Sequence, residues 1–132
     1  MNKKDWKILL VDDEREFITT LAERLDLRDI ATRVVFDGES ALSAVAEEEP
    51  QVMVLDVLMP GIKGLEVLER VKRTNPGVQV LLLTGHGSTR DGIEGMRLGA
   101  FDYMMKPLNI DTLIEKMESA IDYAEKAAKL GQ

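Results

Sequence analysis

Five short apolar runs, near 7–11, 31–35, 51–55, 78–84 and 101–105, alternate strictly with segments whose apolar residues recur at helical spacing. That order leaves few folds open. Runs such as Ile8-Leu9-Leu10-Val11 and Val52-Met53-Val54-Leu55 have no polar residue to turn toward water. As strands they must be covered on both faces, which is the condition of a parallel sheet. Parallel neighbours need crossover connections, and the helical segments between the runs supply them. The expected fold is α/β: a doubly wound parallel five-stranded sheet with helices on both faces.

The helical segments agree with this layout. Around 14–26, Phe17, Ile18, Leu21, Ala22 and Leu25 form one stripe, and around 110–129 Ile110, Leu113, Ile114, Met117, Ile121 and Ala124 form another. Asp37-Gly38 reads as a helix start and Asn75-Pro76-Gly77 as a helix stop. The stretch Thr84–Gly99, which should hold the fourth helix, carries five glycines. Each costs a helix interior about 0.5–1 kcal/mol relative to alanine. Two readings follow: a short, poorly packed surface helix, or a low-stability element that shifts with the state of its surroundings.

Composition removes several kinds of function. A chain of 132 residues with no cysteine has no disulfide framework, thiolate metal site or cysteine nucleophile, and a single histidine, His86, rules out a multi-histidine metal site. The net charge of −7 opposes direct binding to a nucleic-acid backbone. The first apolar run is too short for a leader or a membrane span, so a cytoplasmic location is expected. One domain is expected over residues 1–132, with a core from about 6 to 125 and no output domain in the chain.

The chemistry gathers at the strand ends. Asp12 and Asp13 follow the first run and Asp56 the third, Thr84 closes the fourth, and Lys106 follows the fifth. In parallel sheets ligands bind outside the carboxyl ends of the strands. Three carboxylates facing one another there repel unless protonated or joined by a cation. With oxygen ligands only, the cation is magnesium, or manganese as a substitute, rather than zinc. A carboxylate nucleophile, a metal, a hydroxyl donor and an ammonium are the parts that phosphoryl transfer needs. Asp56 is the expected nucleophile, Asp12 and Asp13 the metal ligands, Lys106 the counter-charge and Thr84 the donor.

Val11-Asp12-Asp13-Glu14, Asp56-Val57-Leu58-Met59-Pro60-Gly61 with Gly64 and Glu66, Leu83-Thr84-Gly85, Gly99-Ala100-Phe101-Asp102-Tyr103 and Lys106-Pro107 together resemble the receiver domain of two-component response regulators. The resemblance covers nearly the whole chain. It implies a flavodoxin-like (βα)5 sheet in the order 2-1-3-4-5. It also implies that Asp56 takes a phosphoryl group from a phosphohistidine on a sensor histidine kinase or phosphotransfer protein, or from a small donor such as acetyl phosphate. Magnesium would be held by Asp13, Asp56 and the backbone carbonyl of Leu58 directly, and by Asp12 largely through water. The Lys106-Pro107 bond is expected to be cis. Thr84 and Tyr103 would move together as a switch, so that the face of the fourth helix, fifth strand and fifth helix acts on a downstream protein, an output domain or a second copy.

Leu58 and His86 stand at positions that vary among receivers and border the route of the hydrolytic water. Leu58 has no polar group to orient that water, which implies a long-lived phosphorylated state. Ile62-Lys63 stands where Met-Asp is frequent, with no catalytic consequence. Three other readings compete. A haloacid-dehalogenase-like phosphatase would carry Asp-x-Asp at its first strand rather than an adjacent pair. A flavodoxin-type cofactor binder would want a phosphate loop where Asp12-Asp13-Glu14 repels phosphate. A receiver that signals without phosphorylation would not need the full set of pocket residues present here.

Overall fold

The computed structural model describes residues 2–85 and 89–131. Its strands and helices alternate as β1 (Ile8–Val11), α1 (Arg15–Asp26), β2 (Thr32–Val35), α2 (Gly38–Glu47), β3 (Val52–Asp56), α3 (Gly64–Thr74), β4 (Gln79–Thr84), α4 (Thr89–Arg97), β5 (Asp102–Met105) and α5 (Ile110–Leu130). All strand pairs are parallel, and the sheet order is β2-β1-β3-β4-β5. The expected architecture is therefore the observed one, with strand ends moved by a residue or so. β1, β3 and β4 are buried along their whole length, as their unbroken apolar runs require.

Alternation along the strands sorts the core into two layers. Ile8, Leu10, Val52, Val54, Leu81, Leu83 and Met104 face α1 and α5, meeting Ile18, Leu21, Leu25, Leu113, Met117 and Ile121. Leu9, Val11, Met53, Leu55, Val80 and Leu82 face the other way, onto Val45, Val67, Leu68 and Val71 of α2 and α3. Two helix starts carry side-chain caps, the expected Asp37 among them. Asp37 accepts from Ser40 N at 2.7 Å before α2, and Asn109 accepts from Thr112 N at 3.0 Å before α5.

α4 departs from the simple reading of its sequence. Its buried residues are Gly92 and Gly95. A Cβ at Gly92 would come within 2.6 Å of the Tyr103 ring, and one at Gly95 within 2.0 Å of Leu82 Cδ1. The two glycines thus bring the helix backbone onto the side chains of β4 and β5, a close approach rather than loose packing. Ile93 and Met96, the apolar residues of the same helix, are exposed.

Candidate functional site

Register builds the site. Val11 pairs with Leu55, so the residues that follow, Asp12 and Asp56, leave neighbouring strands at the same level. Both continue the alternating sets that face α1 and α5, Ile8-Leu10-Asp12 and Val52-Val54-Asp56. Met104 belongs to the same layer, so Lys106, two residues on, rises on that side as well. By the same alternation Thr84 and Tyr103 belong to the α4 side. Sheet geometry thus divides the predicted residues into an acid–lysine cluster and a switch pair.

Asp12 is fully buried and Asp56 is 4% exposed, whereas Asp13 is open to solvent. Asp12 Oδ1 accepts from Glu14 N at 2.9 Å, a turn that leads the chain into α1. One oxygen of Asp12 is thus spent on the backbone just before α1. Its other oxygen, Oδ2, has no aligned hydrogen bond and stands 2.8 Å from Lys106 Nζ, close enough for an ion pair. Lys106 Nζ also lies 3.7 Å from Asp56 Oδ1 and contacts the Glu14 carboxylate. The Phe17 ring sits beneath the ammonium, 4.5 Å from Nζ to the ring centre.

Burial and then the charge of Asp12 push the Asp56 carboxyl up to about 7; Lys106 opposes them, and Asp13 and Glu14 add to the rise. For Lys106, burial favours the neutral amine. The Asp12 and Glu14 contacts and the Asp56 charge together outweigh it, and the ammonium is held above its ordinary range. The site is thus over-supplied with negative charge, and one lysine does not balance it.

Thr84 is buried, and its Oγ1 donates to Met104 O across 3.4 Å, so its hydroxyl is turned to β5 rather than to the acids. Tyr103 packs in the α4-side core. Leu58 is 61% exposed on the loop after β3. The Lys106-Pro107 bond is cis, as expected. His86 lies outside the described residues. Glu14 was not singled out from sequence as a partner of Lys106. Only its place directly after the acid pair, one turn before Phe17, marked it.

A cleft of about 430 Å³ opens over the cluster, lined by Glu14, Phe17, Asp56, Leu58, Gly85, Lys106 and Pro107. Asp12, Asp13 and Asp56 each offer a carboxylate oxygen within 4.8 Å of the others. Among the described residues this cluster offers oxygen donors, one of them the buried Asp12 Oδ2 without an aligned partner. This donor set fits a hard divalent cation.

The comparisons agree with the fold. Residues 8–118 match the response regulator receiver domain family. The transcriptional regulatory protein CpxR of Klebsiella pneumoniae is 38% identical over 87% of this chain and 49% of its own length. The transcriptional regulatory protein YkoG of Bacillus subtilis is 35% identical over 86% and 50%. The receiver domain of NtrX from Brucella abortus superposes with a TM-score of 0.83 at 34% identity, covering 87% of this chain and 98% of that one. This chain belongs to the response regulator receiver domain family, the phosphorylation-switched receivers of two-component signalling. It spans about half the length of the curated relatives it matches. No helix among the described residues is long and apolar enough to cross a membrane.

Proposed function

We propose that Asp56 is the phosphoacceptor of a two-component switch, taking its phosphoryl group from a phosphohistidine of a sensor kinase or phosphotransfer protein, or from acetyl phosphate. The observation that carries this reading is one buried strand-end carboxylate, Asp56, flanked by two further acids and a lysine at the mouth of an open cleft. Asp13, Asp56 and the Leu58 carbonyl would hold magnesium, with Asp12 acting largely through water. When bound, the ion neutralises the acids and the incoming phosphoryl oxygens. The Asp56 oxygen forms the new bond to phosphorus as the bond to the donor imidazole nitrogen breaks, and the imidazole keeps the electron pair. Lys106 supplies positive charge to the phosphoryl group, and Thr84 rotates from Met104 O to donate to it.

The chain's own chemistry ends with hydrolysis of the acyl phosphate, so Asp56 is modified and restored without turnover of a separate substrate. Tyr103 and Thr84, both on the α4 side, couple the site to the face of α4, β5 and α5. That face exposes Ile93, Met96 and Met105, which suits a downstream protein, an output domain or a second copy. The pocket itself bears too much negative charge to hold nucleic acid. Intact-mass spectrometry after incubation with acetyl phosphate and magnesium tests the assignment. One phosphoryl mass is expected, absent with chelator and absent in Asp56→Asn; a gain that persists in Asp56→Asn rejects it.

A further inference from the structure

In the unphosphorylated protein, Lys106 is drawn away from the residue it is expected to serve. Its Nζ hydrogen-bonds the Glu14 carboxylate and stands 2.8 Å from Asp12 Oδ2, but remains 3.7 Å from Asp56 Oδ1, beyond hydrogen-bond reach. Asp12 cannot follow a moving lysine, because it is buried and its other oxygen is tied to Glu14 N. Glu14 is different: its side chain is 62% exposed, just before α1, and its carboxylate pulls the ammonium toward the solvent side. The Phe17 ring supports the ammonium in that place.

We propose that Glu14 is a positioning residue that holds Lys106 off Asp56 and must release it when a phosphoryl group arrives. The proposal rests on Asp56 being the phosphoacceptor. A phosphoryl group there presents oxygens carrying close to two negative charges, and the ammonium exchanges its Glu14 contact for one of them. The lost contact counts against the phosphorylated state. Glu14 therefore favours return to the free carboxylate, in which water attacks phosphorus, the Asp56–phosphorus bond breaks, and inorganic phosphate leaves. Removing the contact leaves Lys106 on the phosphoryl group and lengthens its life.

Three variants of the full chain separate this contact from charge alone. Glu14→Gln removes the charge and the ion pair. Glu14→Asp keeps the charge on a side chain one methylene shorter. Glu16→Gln makes the same charge change at an exposed α1 position that forms no ion pair with Lys106. After phosphorylation with acetyl phosphate and magnesium and rapid desalting, the phosphorylated fraction is followed by intact mass. Glu14→Gln and Glu14→Asp should lengthen the half-life by about two- to five-fold, the size of a part-exposed ion pair, and Glu16→Gln should leave it unchanged. Equal effects of Glu14→Gln and Glu16→Gln, or wild-type decay in Glu14→Asp, overturn the proposal.

A second readout needs no phosphorylation. The Nζ resonance of Lys106, identified by its loss in Lys106→Met, should move in Glu14→Gln and Glu14→Asp but not in Glu16→Gln. If it stays fixed in all three, the holding contact does not exist in solution. Absence of phosphoryl mass in the wild-type chain would instead reject the phosphoacceptor reading.

Discussion

The ring of Tyr103 occupies the space that a side chain at position 92 would need: a Cβ there would lie 2.6 Å from both Cδ2 and Cε2. Helix and ring can be this close only because residue 92 is glycine. Alanine at an interior helix position ordinarily gains about 0.5–1 kcal/mol over glycine. Here the overlap dominates, since forced overpacking costs about 1–3 kcal/mol. Gly92→Ala should therefore lower stability and turn Tyr103 outward. Nitration followed by peptide mass spectrometry reads the result, with Tyr123, 57% exposed, as internal reference. Tyr103 should react several-fold slower than Tyr123 in the wild type and approach it in Gly92→Ala. A folded variant with an unchanged ratio would mean that α4, not the ring, yields.

The raised Asp56 carboxyl sets a pH dependence. The folded chain holds this proton up to about 7, whereas an unfolded chain releases it near 3.8. Between those values the folded state binds more protons, so this group's contribution to stability falls as pH rises through the window and stays lost above it. A divalent cation reverses the loss by taking the proton's place. Thermal unfolding should show magnesium raising Tm clearly at pH 8 and little at pH 5, and Asp56→Asn should flatten both responses. An equal magnesium effect at both pH values would disconnect the ion from this carboxylate.

Lys106→Ala leaves Asp12 Oδ2 buried without its counter-ion. An orphaned buried acceptor costs about 1–3 kcal/mol. The variant should lose stability of that order in chelator at pH 8, and excess magnesium should restore part of it. Urea unfolding with and without the ion measures both; a neutral substitution would show that the ion pair does not persist in solution.

Two glycines after β3, Gly61 on the connection and Gly64 at the start of α3, should respond very differently to alanine. At Gly64 a Cβ would meet Asp56 O at 2.2 Å and Val57 Cα at 2.7 Å, backbone atoms at and just past the end of the site strand. At Gly61 no atom of the described residues beyond its chain neighbours lies within 4 Å, and the φ of +76° is what resists a side chain. Gly61→Ala should cost about 1–2 kcal/mol and keep magnesium binding. Gly64→Ala should cost more and weaken the ion's affinity, because Asp56 itself must shift. Calorimetry of magnesium binding alongside Tm separates the two, and parallel losses in both would contradict the geometry.

What was legible in the sequence was whatever depends on periodicity. Unbroken apolar runs imposed a parallel sheet, and residues that end such runs had to meet at one edge, so Asp12, Asp56 and Lys106 could be brought together from the sequence alone. The same alternation also contains the division between acid side and α4 side, although it takes the register to see it. Side-chain reach between distant segments was not legible. That Glu14 contacts Lys106 depends on where two flexible chains extend from opposite ends of the protein sequence. The α4 glycines signalled poor packing because their composition carries no trace of the Tyr103 and Leu82 side chains that fill the space.

α5 has its buried residues between Ile110 and Ile121 and none beyond. At about 1.5 Å per residue, the turns from Asp122 to Leu130 project roughly 13 Å past the last buried anchor. The Tyr123 ring, 5.8 Å from that of Phe101, steadies its first turn, and the turns beyond would act as a lever. A tilt of about 10° in the anchored half, small enough to keep its core contacts, would carry the tip by roughly 2 Å. Displacements at the sheet edge that are too small for a partner to sense on the domain surface would be magnified at the end of this arm.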